Sequence, residues 1–344
     1  MPPSLRFVDD TEPGIRRKGT KRFRYVEDGT GSALRDRETV ARIAALAIPP
    51  AWTDVWICAD PGGHIQATGR DARGRKQYRY HADFRAERER TKFDQLVEFG
   101  NALPDIRRQV DEDLDRKGMP FERVVALVVS LLEQTFVRVG NESYAIENGT
   151  FGLTTLRRKH VVVQDGTISL KFKGKGGRAH EVPCNDARLC RLMRRCQDLG
   201  GQLLFEYRDE EGDLSPVSSQ DVNAYLRAAS GLDATAKTFR TWGATVLAAA
   251  AFAVLDAPET VKERQLGVKT VVGAVADELG NTPTVCRASY IHPVVIERYE
   301  DGTLPARWAK GPSRDGHGLI AEERRLLHLL GSRRRRPSLL AAAA

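Results

Sequence analysis

The chain has 344 residues, 41% hydrophobic and 29% charged, which allows about two domains of ordinary size and excludes global disorder. Its 54 Lys+Arg against 46 Asp+Glu give +8 at pH 7, a balance compatible with a phosphate-rich partner. The five cysteines (Cys58, Cys184, Cys190, Cys196, Cys286) form no C-x-x-C pair or zinc-finger spacing, and the longest apolar run, Val246 to Val254, is too short for a bilayer, so the expectation is a cytoplasmic, nucleoid-associated protein with free thiols, no bound metal and no membrane span.

In chain order, residues 1–15 read as an extended arm. Phe23-Arg24-Tyr25-Val26 predicts a strand and Glu27 to Gly31 a turn. A helix follows over Asp36–Leu46, stopped by Pro49-Pro50. Val55 to Ala59 and His64 to Thr68 are strands around the turn Asp60-Pro61-Gly62-Gly63, so residues 1–90 read as a small antiparallel β domain. The charged stretch Arg85 to Arg90 offers almost nothing to bury and sets the boundary near residue 90. Beyond it the period becomes helical: Phe93 to Gly100, a helix opened by Pro104, and a strongly apolar helix over Phe121–Val137. Val161-Val162-Val163 and Ile168 to Phe172 flank the hairpin turn Asp165-Gly166, and a glycine-rich turn, Lys173 to Arg178, leads to His180-Glu181-Val182. Further helices are expected near 186–199, 219–229, 238–255, 257–266 and 271–279, then a short one opened by Thr282-Pro283 that carries Tyr290. The fold class is α+β: an N-terminal β domain (1–90), a mainly helical domain with a three-stranded β insertion (91–310), and a C-terminal segment (311–344) whose basic end, Arg333 to Arg336, reads as a disordered tail.

Positive charge is bunched. Residues 1–90 carry 18 Lys+Arg against 13 Asp+Glu, and residues 157–178 carry seven basic residues against Asp165 alone. Such clustering points to a nucleic-acid surface. Four residues then suggest a chemistry: Tyr290; Arg138 in Phe136-Val137-Arg138-Val139-Gly140-Asn141; Arg240 in Lys237-Thr238-Phe239-Arg240-Thr241-Trp242-Gly243; and Lys175 in the glycine-rich turn. Transfer of a phosphodiester needs an in-line nucleophile, positive charge on the non-bridging oxygens and a proton for the leaving oxygen. The arginine fork suits the oxygens, a lysine ammonium suits the leaving group, and a tyrosine can take up the phosphoryl group as an ester. That combination cuts and reseals a strand with no cofactor, and the chain has no phosphate-binding G-x-x-x-x-G-K-[ST] loop. Singly, each residue has a plainer use: Tyr290 in packing, Arg138 as a helix-end cation, Lys175 as a solvated turn residue.

Together they resemble the small type IB DNA topoisomerases of bacteria and poxviruses, over roughly residues 15–310. In that resemblance Arg138 and Arg240 are the two catalytic arginines, Lys175 the hairpin lysine and Tyr290 the nucleophile. Gly69 to His81 looks like the DNA-contacting stretch, with Arg70, Arg75, Lys76, Gln77, Tyr78 and Tyr80 as contacts, and Tyr144 and Lys237 as further DNA-side residues. Many members carry a histidine nine residues before the nucleophile; here it is Asn281, whose amide can donate the same hydrogen bond without charge. The resemblance implies a monomeric, C-shaped two-domain clamp on duplex DNA that relaxes supercoils through a 3′-phosphotyrosyl intermediate without ATP or metal. A tyrosine recombinase shares the Arg-Lys-Arg-Tyr set but usually has His-x-x-Arg where this chain has Lys237-x-x-Arg240, and a helical rather than a β N-terminal domain. A non-enzymatic DNA-binding clamp is the third reading.

Overall fold

The computed structural model describes residues 5–20, 22–72, 74–164, 166–177 and 179–331, with the backbone alone at 89, 90, 143, 144, 176 and 181–183. The protein is α+β, and the chain divides into two compact units at Phe93/Asp94.

The first unit holds β1 (Ile15–Lys18), β2 (Arg24–Glu27), α1 (Arg37–Ala45), β3 (Thr53–Ile57), β4 (Ile65–Arg70) and β5 (Lys76–Tyr80). The strands form one antiparallel sheet in the order β2-β1-β3-β4-β5. Strand alternation sorts its two faces. Val55 and Ile57 of β3 pack with Ile15, Ala67 and Ile43 of α1, while Trp56 and Cys58 face the other way with Val8 and Ile65. Asp36 caps α1 by accepting from Thr39 N at 2.8 Å, which fixes where the helix starts. Five strands replace the three expected. The two additional ones, β1 (IRRK) and β5 (KQYRY), consist largely of charged and aromatic residues and so lack the apolar alternation that marks a strand in sequence.

The second unit is built on helices: α2 (Ala82–Leu114, begun in the first unit), α3 (Phe121–Thr135) and α4 (Glu142–Asn148). A three-stranded antiparallel sheet follows, β6 (Val161–Gln164), β7 (Thr167–Lys173) and β8 (Ala179–Cys184), in that order. Then come α5 (Ala187–Asp198), the small hairpin β9 (Glu206–Arg208) and β10 (Leu214–Pro216), α6 (Ser219–Ser230), α7 (Ala236–Ala253), α8 (Val261–Glu278), α9 (Pro283–Ser289), α10 (Pro293–Glu300), α11 (Leu304–Ala309) and α12 (Ala321–Gly331). Every residue from Val124 to Leu132 is buried, so α3 is the helix around which the unit packs.

Three sequence expectations change. Phe93–Gly100 and the Pro104 helix are one helix, and Pro104 lies inside it. Interior proline costs about 3 kcal/mol. The stripe Leu96, Phe99, Leu103, Ile106, Val110 and Leu114 is buried on one face, and at roughly 1.5–3 kcal/mol per side chain that outweighs it. The helices expected at 257–266 and 271–279 are the single α8. Its Gly267 is an interior residue because a Cβ there would collide with the Tyr299 hydroxyl. Residues 321–331, read as part of a C-terminal segment, form α12. Leu326, Leu329 and Leu330 of α12 are buried, and Glu323 joins Arg107 of α2 by two hydrogen bonds (2.8 and 2.9 Å) and accepts from Trp242 Nε1 at 3.1 Å. Arg333 to Arg336 lie outside the described residues. The five cysteines are free and buried.

Candidate active site

Four of the five residues proposed for chemistry meet in the second unit, delivered by four segments. Helix α3 ends on Phe136, held in the left-handed region (φ 50°), and the chain then turns to present Arg138. The Arg138 carbonyl accepts from Leu153 N (2.9 Å) and the Val139 carbonyl from Thr154 N (2.7 Å), so the backbone on which the guanidinium stands is pinned. Gly152 allows this approach, since a Cβ there would clash with the Arg138 carbonyl and Gly140.

Arg240 comes from α7. Gly243, one turn later, lies so close to the Phe136 ring that a Cβ would collide with it, and Gly100 accommodates the Trp242 ring in the same way. The small residues of this motif and of α2 thus let α7 approach the end of α3. Arg240 is only 3% exposed. It donates from Nη2 to the Leu279 carbonyl at 2.9 Å, and its guanidinium lies 5.3 Å from the centre of the Tyr290 ring. Its Nε is buried and has no hydrogen-bond partner among the described residues. Burial first, and then Arg138, push the Arg240 guanidinium down to about 10; besides Arg138, the groups acting on it most strongly are Tyr290 and Cys286, neither a carboxylate. It remains cationic at neutral pH.

Asn281 is set by the end of α8. Gly280 (φ +60°) takes the left-handed position, Gly280 N donates to Asp277 O at 3.0 Å, and Asn281 N to Ala276 O at 2.8 Å. This is the two-bond glycine cap of a helix C-terminus. It leaves the Leu279 carbonyl to Arg240 and turns the Asn281 side chain to Arg138, whose Nη2 donates to Asn281 Oδ1. The negative end of α8 therefore faces the buried cation.

Thr282 caps α9 and Pro283 begins it, as the sequence predicts; Tyr290 is its C-terminal cap residue, 9% exposed. Thr245, a buried residue of α7, fixes the backbone around it. Its Oγ1 shares its one proton between the Thr241 carbonyl (2.7 Å) and the Tyr290 carbonyl (3.1 Å) and accepts from His292 N (3.2 Å). Sequence reasoning missed Thr245; the available signal was a second threonine one helical turn beyond Thr241.

Lys175, the fifth, is exposed at the turn between β7 and β8. Lys237 is exposed on α7, one turn before Arg240. Tyr144 falls within α4, and its side chain lies outside the described residues.

In the first unit the proposed DNA contacts cluster on β4, β5 and the turn joining them. Tyr78 and Tyr80 are exposed on one face of β5 with their rings stacked, centroids 5.9 Å apart. Gln77, on the alternate face, donates to Asp71 Oδ2 at 3.1 Å. The basic residues are paired with carboxylates: Arg75 with Asp71 (2.6 Å), Lys76 with Asp10 (2.7 Å) and Arg70 with Asp54 (3.7 Å). These are partly exposed pairs of small energetic weight, which a phosphate can exchange.

The second unit thus brings a buried tyrosine, two neighbouring arginines and an asparagine together, and the first unit is an antiparallel β sheet with one helix. Residues 81–310 match the family described as eukaryotic DNA topoisomerase I, catalytic core, and residues 22–71 match the bacterial DNA topoisomerase IB N-terminal domain. The chain is 32% identical to DNA topoisomerase 1B of Acanthamoeba polyphaga mimivirus over 296 residues, covering 83% of this chain and 87% of that one. It is 23% identical to DNA topoisomerase 1B of Vaccinia virus (strain Western Reserve) over 240 residues, 68% and 72% of the two chains. The chain belongs to the type IB DNA topoisomerase family and is an enzyme of that class. No helix among the described residues is long and apolar enough to cross a membrane.

Proposed function

We propose that this protein relaxes supercoiled duplex DNA by cutting one strand, letting the free 5′-hydroxyl end rotate, and resealing it. The convergence of Arg138, Arg240 and Asn281 beside Tyr290, with no carboxylate among the groups acting most on Arg240, carries the reading. In the forward step the Tyr290 oxygen gives up its proton to water and attacks phosphorus as the P–O5′ bond breaks, leaving a 3′-phosphotyrosyl ester. The two guanidiniums, one with an orphaned Nε, neutralise the non-bridging oxygens, and Asn281 holds Arg138 and donates its amide. Lys175 protonates O5′. The ester stores the energy of the broken bond, so religation needs no ATP, and the arginines do the work a metal ion would otherwise do. Supercoils of either sign relax, because rotation is driven by torque alone.

In the first unit, Tyr78, Tyr80 and Gln77 approach base edges while Arg70, Arg75 and Lys76 meet phosphates; Tyr144 and Lys237 add contacts from the second. The enzyme acts as a monomer in the cytoplasm, on the nucleoid. A tyrosine recombinase finds no support in the antiparallel β unit at the N-terminus.

The test is incubation with negatively supercoiled plasmid in EDTA without ATP, quenched with denaturant. Relaxed topoisomers and a protein linked covalently to the 3′ end of a nick are expected. A strict requirement for ATP or a divalent cation, or linkage to a 5′ end, would overturn the mechanism.

Thr245→Val removes one buried hydroxyl and little else. It leaves the Tyr290 carbonyl and His292 N–H without that partner, at about 1–3 kcal/mol per unsatisfied buried group. Chemical denaturation is expected to show roughly 2–4 kcal/mol lost. Relaxation at a temperature where the variant is folded is expected to slow by at least about tenfold, because the nucleophile is no longer held to better than an ångström.

A further inference from the structure

We infer that His180 is a positioning residue for the Lys175 turn, bracing it against the capped end of α8; the inference rests on the reading of Lys175 as the proton donor to O5′. His180 lies on β8 opposite Phe172 of β7, and the two rings are stacked, centroids 5.1 Å apart and 10° from parallel. The stack holds the imidazole in one plane between two glycines. On one side is Gly174, the residue before Lys175: a Cβ there would fall 2.5 Å from His180 Cδ2 and 2.6 Å from Nε2. On the other is Gly280, where a Cβ would collide with His180 Cε1 and sit 3.1 Å from Nε2. One ring thus touches the backbone of both turns, and neither turn has room for a side chain at the contact.

The two turns differ in stiffness. Gly280 is fixed by the two-bond cap on the eighteen-residue α8, and Asn281 next to it is tied to Arg138. The Lys173–Gly177 turn contains two glycines beside Lys175, and a glycine-rich turn of this kind has many conformations to lose. The ring therefore transmits the fixed position of the α8 end to the tip that carries the lysine. A histidine that merely packed the hairpin would need no contact with Gly280. The hairpin context gave no hint of this in sequence, since Gly280 is 100 residues away (280 − 180 = 100).

A lysine that is out of place should slow only the step that needs its proton. The proton passes from the Lys175 ammonium to O5′ as the P–O5′ bond breaks and its electron pair stays on oxygen. When sulfur replaces that bridging oxygen, the thiolate leaves without protonation and the need for the donor disappears. The experiment measures single-turnover cleavage of a duplex bearing one site mapped beforehand with the wild-type protein, as the oxygen and the 5′-bridging sulfur form. Lys175→Ala is expected to slow the oxygen substrate by about 10²-fold or more and to cut the sulfur substrate near the wild-type rate. His180→Ala is expected to show the same pattern more weakly, about tenfold on oxygen and within threefold on sulfur. His180→Phe, which keeps the flat ring and its stack, is expected to stay within about fivefold of wild type on both. Gly174→Ala, which drives a methyl into the ring, should reproduce the His180→Ala pattern if that variant does not fold. Equal slowing of both substrates by His180→Ala, with Lys175→Ala still rescued by sulfur, overturns the inference alone; so does a His180→Phe loss as large as that of alanine. Failure of sulfur to rescue Lys175→Ala overturns the reading of the lysine beneath it.

Discussion

Tyr290→Phe is expected to abolish relaxation and the covalent adduct while leaving the fold and DNA binding intact. Tyr290 is 9% exposed, its ring lies against Arg240, and its backbone is held by Thr245. Phenylalanine keeps the ring, the cation contact and both backbone bonds, and deletes only the hydroxyl oxygen. Melting temperature should therefore change little, and affinity for a duplex, measured at fixed salt, should stay within a few-fold. Loss of a covalent nucleophile typically costs on the order of 10⁴–10⁶-fold in rate, so no relaxed product should accumulate over hours. A phenylalanine variant that still relaxes plasmid would show that Tyr290 is a packing residue and that the nucleophile lies elsewhere. A variant that unfolds would show that the hydroxyl, which hydrogen-bonds Arg240, also supports the fold.

What the sequence made legible was local. Asp36 before a helix, Thr282-Pro283 before another and Asp165-Gly166 between strands are short-range signals, and the elements they announce are present on either side. The residue types of the candidate site carry a signal of a similar kind: arginine and tyrosine without a carboxylate cluster restrict the chemistry that can be proposed before any geometry is known. The convergence of Arg138 with Arg240 was not legible, because it depends on Gly243 admitting the Phe136 ring and Gly100 admitting Trp242, contacts between residues more than a hundred positions apart. Glycine in a helix reads as a weak point, and at Gly267, Gly243 and Gly100 it is a packing device instead. Pro104 misled for the complementary reason: the lost bond is visible in sequence, whereas the buried stripe that outweighs it is only clear once the helix is known to be continuous. The α12 helix carries no capping signal strong enough to stand out. Its anchorage through Glu323 to Arg107 of α2 and Trp242 of α7 is a tertiary fact.

Replacing Arg240 by methionine is expected to destroy activity and, at the same time, to stabilise the fold. Arg240 is 3% exposed, and burial together with Arg138 pushes its guanidinium down to about 10. For a cation, a folded-state value below the unfolded one means that folding disfavours the charged form. The charge thus lowers stability at every pH below about 10, and the cost is relieved only as pH rises from about 10 toward the ordinary arginine value. At neutral pH that cost is on the order of 1–3 kcal/mol, opposed by about 1 kcal/mol for the bond to the Leu279 carbonyl. Methionine fills much of the same volume without charge. The expected result is a melting temperature higher by roughly 2–4 °C and cleavage slower by about 10³–10⁵-fold, the range for removing an arginine that stabilises a transferring phosphoryl group. Arg240→Lys keeps the charge but loses the planar fork, so it should fall between methionine and wild type in activity. A methionine variant that melts several degrees lower would make Arg240 a structural residue of α7, and one that retains activity would remove it from the phosphate site. Opposite signs of the two effects would be the signature of a site built to receive an anion, in which a buried cation lowers the stability of the protein alone and serves the reaction instead.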